Sequence, residues 1–409
     1  MPVEAGNLAA RLRAVSIVTA VAVMAVAIAP AGGRGANAAP AAQRADLAAA
    51  VSGRSLLRDG TGLYPRAVRL AHSGSANGRV IASVTTFSAG NGIGAIYQST
   101  DGGQSFQQIG SIADPQAAAG SGQCCATLYE LPAAVGANPA GTLLWAASMG
   151  GAVTTNRRMS LRVWRSTDAG HTWSYLSTIA AASNDKGLWE PEFTVDSRGE
   201  LVAFYSDETD SAHSQKIMKV RSVDGVTWTD RAGAVVATPQ AYRPGMPVVR
   251  RLPDGRYLMS YEVCGTGDQY GCAVYTRSSA DGWSWGTASS LGSRAVSAGG
   301  DYFRHAPTIA VSPAPAPSGT LLLIGQMLYD SSGAVAAGNG DTIFARPLDG
   351  SAGWHEISAP VAVPDATNNY CPNYSSALLP ATDGSSLLEI ATDYDGTVCK
   401  PYYATGPTG

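Results

Sequence analysis

The chain has 409 residues, 45% of them hydrophobic and only 14% charged, with 28 basic and 31 acidic side chains and a formal net charge of −3. That balance offers no basic field for a nucleic-acid partner, and the length is enough to bury a sizeable core. The 47 glycines, 17 tyrosines and 8 tryptophans are spread over many short apolar stretches, the composition of a β-rich protein.

Arg11 and Arg13 precede an apolar run over residues 14–28, and small residues follow it up to Ala36-Asn37-Ala38. This order predicts a secretory signal peptide over residues 1–38, cut after Ala38 because Pro40 disfavours cutting one residue later. A membrane anchor is the alternative reading, but the run is shorter than the roughly 20 residues a span needs. Removing Arg11, Arg13, Arg34 and Glu4 with the leader leaves 25 basic and 30 acidic residues, a net charge near −5. The expectation is a secreted protein with no membrane partner, monomeric by default, whose residues 39–409 form one catalytic domain.

Six hairpins follow in chain order, each an alternating apolar strand, a turn at Gly or Asp, and a returning apolar strand. They pair residues 65–70 with 80–86, 127–131 with 142–147, 190–195 with 200–206, 246–252 with 256–262, 307–311 with 320–326, and 374–379 with 386–392. Taking Arg66, Leu128, Glu190, Arg243, Ala306 and Tyr374 as equivalent starts gives spacings of 62, 62, 53, 63 and 68 residues. Near-equal spacing of about 60 residues is that of repeated four-stranded blades.

Four related turns sit between the hairpins: Ser99-Thr100-Asp101-Gly102-Gly103-Gln104-Ser105-Phe106, Ser166-Thr167-Asp168-Ala169-Gly170-His171-Thr172-Trp173, Ser222-Val223-Asp224-Gly225-Val226-Thr227-Trp228 and Ser278-Ser279-Ala280-Asp281-Gly282-Trp283-Ser284-Trp285. A short Asp side chain can bond the local backbone there, Gly permits positive φ, and the aromatic packs back between blades. The turns resemble the Asp box of sialidase-like propellers, and their role is structural. The fold class expected is all-β, a six-bladed β-propeller with these turns between the third and fourth strands of blades 1 to 4 and a worn fifth copy over residues 348–354. Too few residues follow Lys400 for two more strands, so blade 6 borrows one from residues 52–57.

Six cysteines in an exported chain favour disulfides. Cys264 and Cys272 bracket a short loop, Cys371 and Cys399 bracket the last hairpin, and each couple is expected to pair. Cys124 and Cys125 are left over; a bond between neighbours closes a strained ring, and six cysteines allow 15 connectivities.

In a propeller the innermost strands begin around a central channel, so hairpin starts and the ends of returning strands are the site candidates. Glu190, in Trp189-Glu190-Pro191-Glu192, opens the third hairpin, and Glu262, in Tyr261-Glu262-Val263-Cys264, closes the fourth. Two carboxylates of this kind are what glycoside hydrolysis needs, one to protonate the leaving oxygen and one to attack carbon or activate water. Solvated loop acids are the bland reading, and Glu192 is the immediate rival of Glu190.

Trp189-Glu190-Pro191 followed by Phe204-Tyr205-Ser206-Asp207-Glu208, then Arg243-Pro244-Gly245-Met246-Pro247 followed by Tyr261-Glu262-Val263-Cys264-Gly265, resembles the exo-α-1,5-L-arabinanases, glycoside hydrolase family 93 of the sialidase-like clan. The resemblance runs from Tyr64-Pro65-Arg66 to Asn373-Tyr374-Ser375. It implies release of arabinobiose from linear arabinan, a plant cell-wall polysaccharide, by a retaining mechanism on two glutamates that fall on Glu190 and Glu262. Glu190 is assigned as general acid/base and Glu262 as nucleophile. The segment Cys124-Cys125-Ala126-Thr127 departs from the family pattern.

Around this pair, Arg66 and Arg243 can bond sugar hydroxyls, hold the glutamates ionised, or bridge blades. Tyr374 stands where sialidases keep a tyrosine nucleophile, here to orient a carboxylate, with Asn373 beside it. Trp189 and Tyr242 can stack on a furanose, or Trp189 can serve as interblade core. Five scattered histidines, His171 and His305 among them, lack the paired spacing of metal ligands, and carboxylate chemistry implies no cofactor. Two rivals stay open: a sialidase, which needs three arginines on its substrate's carboxylate with Arg304 as a third, and a non-catalytic carbohydrate-binding propeller.

Overall fold

The protein is described by a computed structural model covering residues 53–315 and 319–408; the expected leader over residues 1–38 lies outside the described residues. Six small antiparallel sheets carry almost all of the secondary structure. Their innermost strands are Leu63–Arg69, Gln123–Glu130, Leu188–Val195, Arg243–Arg251, Thr308–Ser312 and Ala377–Pro380. Each touches the next, and the last touches the first, so the six blades close a propeller ring. Among the described residues no helix is long and apolar enough to cross a membrane.

Blade 6 is completed as expected. Its outermost strand is Ser55–Leu56, paired antiparallel with Tyr403 and Tyr402 of Val398–Gly406. Arg54 reinforces the joint through an ion pair with Asp393 at 2.7 Å. The structure adds strands outside the six expected hairpins: Tyr302–Arg304 and Met327–Tyr329 form a short ribbon on the edge of blade 4.

The blades stack face to face, which is why strands such as Leu201–Asp207 are buried at every position and not only at alternate ones. Phe193 and Tyr205, both fully buried, belong to the layer between blades 2 and 3, and a ring of that size contributes on the order of 2 kcal/mol when removed from water. The four Ser/Asp turns add pins between blades. In each, the Ser hydroxyl donates to the Asp carboxylate, as Ser99 does to Asp101 at 2.7 Å, and later backbone amides donate to the same carboxylate. The aromatic that follows reaches the preceding blade: Phe106 packs edge-on against Tyr403, and Trp228 Nε1 donates to Ser177 Oγ.

Near the starts of the inner strands the backbone repeats one irregularity. Ladders slip between Leu63 and Arg66, Cys124 and Thr127, Trp189 and Glu192, and Gly245 and Val248. Inside each slip sits a non-glycine residue in the left-handed region: Tyr64 (φ 54°), Cys125 (63°), Glu190 (55°) and Met246 (57°); Ala306 (46°) and Ser375 (59°) occupy the corresponding places ahead of the inner strands of blades 5 and 6. Each such residue costs roughly 1–3 kcal/mol, and such strain concentrates at functional sites. The bulges re-aim side chains, and Tyr64, Cys125, Met246 and Ala306 meet in one cluster.

Candidate active site

Glu190 is the left-handed residue of blade 3. One of its oxygens, Oε2, accepts from Ser206 Oγ at 2.5 Å and from the Met246 amide of blade 4 at 3.2 Å. Glu262, at the end of the second strand of blade 4, accepts from the Ala306 amide of blade 5 at 2.8 Å through its own Oε2. Its side chain is 14% exposed. Desolvation pushes both carboxyls up, Glu262 to about 7, with the charge of Glu190 adding to the rise; their donors and the positive charge of Arg243 oppose it. Gly245 pairs with Glu262 across the ladder of blade 4, and the next residue, Met246, donates to Glu190, which brings the two carboxyls to one end of that strand pair. Burial keeps a proton on Glu262 up to about pH 7.

Glu192 is not part of that pair. The bulge after Trp189 separates it from Glu190, and its carboxylate is spent on the two flanking blades: Thr127 Oγ1 donates at 2.8 Å, Arg250 Nη1 at 2.7 Å and the Val249 amide at 3.4 Å. A residue two places along an undistorted strand faces the same side; the bulge removes that equivalence.

Arg243 donates to Glu208, to Gln215 Oε1 at 2.7 Å and to the Ser214 carbonyl at 3.0 Å. Its charge draws Glu190 and Glu262 toward ionisation while Glu208 opposes that at Glu190. Of its three sequence readings, this geometry serves two: Arg243 bridges blade 4 to blade 3 and its charge favours the ionised glutamates. Glu208, Gln215 and Ser206 were not singled out from sequence as supporting residues; the nearness of Ser206 and Glu208 to the end of the strand paired with the Glu190 segment was the available signal.

Other expected contacts fall elsewhere. Arg66 is buried, stacks 4.1 Å over the Tyr64 ring and donates to the Ser375 carbonyl and hydroxyl at 3.0 Å. It joins blade 1 to blade 6 by hydrogen bonds, with no sugar-facing donor needed to explain it. Asn373 is also buried: its Nδ2 donates to the Gly325 and Gln326 carbonyls and its Oδ1 accepts from Ser376. Trp189, 5% exposed, lies in the interblade core, so its indole is closed to a furanose. Tyr242 is half-buried against the core between blades 3 and 4.

Tyr374 does stand at the glutamates. Its phenol is pushed well above the usual range by burial and by the charges of Glu262 and Glu190, so it stays a neutral hydrogen-bond donor. Its ring centroid is 6.2 Å from that of Tyr64, and both hydroxyls approach Met246 Sδ, at 3.9 and 3.8 Å.

All six cysteines are paired as Cys264–Cys272, Cys371–Cys399 and the adjacent Cys124–Cys125. Cys264, Cys272 and His305 lie within 4.8 Å of one another, but the two sulfurs are bonded together and offer no thiolate. His305 Nδ1 is 3.9 Å from Glu262, and burial beside Arg304 lowers its pKa to about 4, which leaves it neutral.

No protein-family model matches the chain, and no curated protein does. Among solved structures it is similar to the α-L-arabinanase of Penicillium chrysogenum complexed with arabinobiose, at 25% identity over 87% of this chain and 98% of that one, with a TM-score of 0.72. It is similar in fold to the family 93 α-L-arabinofuranosidase of Fusarium graminearum with arabinobiose, at 22% identity, 87% and 97% coverage and a TM-score of 0.70. The NanB sialidase of Streptococcus pneumoniae shares the fold more distantly, at 10% identity, 87% and 70% coverage and a TM-score of 0.53. The first of these is an arabinanase, the activity of the family that the motifs around Glu190 and Glu262 resemble, and with the glutamate pair it agrees on a glycoside hydrolase.

Proposed function

We propose that the chain is a secreted, exo-acting arabinanase that releases arabinobiose from linear arabinan with retention of configuration. The observation that carries this reading is the pair itself: Glu190 and Glu262, from neighbouring blades, each held through one oxygen by an amide of the next blade. The arabinobiose in the Penicillium and Fusarium structures supports the substrate class.

Protonated Glu190 gives its proton to the glycosidic oxygen while the Glu262 carboxylate attacks the anomeric carbon, forming a glycosyl ester and breaking the C–O bond. Glu190, now a carboxylate, takes a proton from water as that water attacks the same carbon. The ester breaks, the sugar leaves, and both carboxyls return to their starting state. Arg243 and Tyr374 keep the charge balance, the first as a cation near both carboxyls and the second as a neutral donor.

The sialidase reading loses its main requirement. Arg66 is committed to Ser375, Arg243 to Glu208 and Gln215, and Arg304 to the Gln269 carbonyl and the face of Tyr329. No trio remains to grip a substrate carboxylate.

The test is to incubate the purified protein with linear arabinan, debranched arabinan and a sialoside and to size the products. Disaccharide from linear arabinan as the first and dominant product is expected. A ladder of longer fragments would overturn the exo mode, and release of sialic acid or no hydrolysis at all would overturn the substrate class.

A further inference from the structure

A cavity opens between blades 6, 1 and 2. Tyr64 and Tyr374 line it, and both feel the charge of Glu190. Its remaining apolar wall is Phe87, Tyr370 and the Cys124–Cys125 disulfide, the segment that departs from the family pattern. Gln123 and Thr85 supply polar groups.

Those two are unusual. Gln123 is 5% exposed and Thr85 1%, yet Gln123 Oε1, Gln123 Nε2 and Thr85 Oγ1 have no hydrogen-bond partner. Buried polar side chains are nearly always paired, and an exception requires a reason. An apolar pocket with a few convergent polar groups is the usual form of a small-molecule site. A furanose fits that chemistry. Its ring carbons pack on the disulfide and aromatic walls, and its hydroxyls both donate to and accept from a carboxamide.

Resting on the arabinanase reading, we infer that Gln123 is a specificity-determining residue: with the Cys124–Cys125 wall it binds the terminal sugar of the substrate, the ring next to the one that reacts. A site built to pair with hydroxyls discriminates strongly against ligands that cannot satisfy it, so this pocket favours chains ending in an unsubstituted furanose.

The test compares wild type with Gln123→Met, which keeps the side chain's length and removes both polar atoms, and with Thr85→Val. Arabinotriose is the substrate and arabinobiose the product inhibitor. For Gln123→Met the expected result is a KM and an inhibition constant raised about tenfold, with kcat within about twofold of wild type. Its unfolding temperature is expected to be equal to or above that of wild type, because no protein hydrogen bond is lost. Thr85→Val is expected to shift KM in the same direction by a smaller factor. An unchanged KM in Gln123→Met with active wild type would overturn the pocket assignment while leaving the arabinanase reading intact. A fall in unfolding temperature with unchanged KM would make Gln123 a packing residue, which also overturns it. Wild type inactive on arabinotriose and on arabinan would remove both.

Discussion

The backbone amide of Met246 donates to Glu190 across the boundary between blades 3 and 4, and Met246 is itself in the left-handed conformation. Ala306, also left-handed, repeats the arrangement with Glu262 across the next boundary. Each glutamate is thus oriented by backbone from the following blade, a donor whose position is set by the ring and not by a rotamer.

The roles of the pair can be separated chemically. Glu190→Ala and Glu262→Ala are each expected to lose at least a thousandfold in kcat on arabinan. With an aryl arabinoside and added azide, Glu190→Ala should give a glycosyl azide of retained configuration and Glu262→Ala one of inverted configuration. NMR of the products reads the outcome, and the opposite pattern would exchange the two roles.

Activity should follow the singly protonated pair. As pH falls through about 7 Glu262 takes up a proton and the nucleophile is lost; at higher pH Glu190, also raised by burial, gives up its proton and the acid is lost. The profile of kcat/KM is expected to be bell-shaped with its acid limb near 7. Arg243→Met removes the cation that favours ionisation and leaves Glu208 uncompensated, so both limbs should move up. A limb that stays in place would remove Arg243 from the electrostatics of the site.

Glu192 provides the opposite control. Glu192→Ala breaks its contacts with Thr127, Val249 and Arg250 and leaves that joint unpaired. A loss of stability on the order of 2–4 kcal/mol is expected, read from chemical denaturation, with the folded fraction retaining more than a tenth of wild-type kcat. Loss of activity comparable to Glu190→Ala would reinstate Glu192 as a catalytic candidate.

Glu389 is fully buried, accepts one bond from the Val361 amide at 2.9 Å, and is raised by burial to about 8. Between the ordinary carboxyl value and 8 the folded state binds more protons than the unfolded state, so this group's contribution to stability falls as pH rises through that window. Glu389→Gln keeps the acceptor and removes the titration. It should therefore raise the unfolding temperature at pH 8 relative to wild type and do little at pH 4.

Much of this was legible in the residues. Near-equal spacing of hairpins gave the number of blades, the shortage of residues after Lys400 pointed to the strand at Ser55–Leu56, and the setting of Glu190 and Glu262 picked out the pair. Sequence was least informative where the backbone departs from regular pleating. The bulge after Trp189 decides that Glu190 and not Glu192 joins Glu262, and it also leaves Trp189 in the core. Arg66 and Asn373 looked like ligands because they stand at strand starts, but their partners, Ser375 and the Gly325 and Gln326 carbonyls, come from distant sequence or the opposite side of a joint. Hydrogen bonds of that range have no local signature.

The pairing of Ser55–Leu56 with Tyr402 and Tyr403 also orders events during synthesis. The earliest described strand must wait for the last hairpin to emerge before it finds its partner, although the blades bearing Glu190 and Glu262 are made well before then. Blade 6 is therefore complete only when that late clasp shuts, and the polypeptide finishes its ring at the end of folding and not blade by blade.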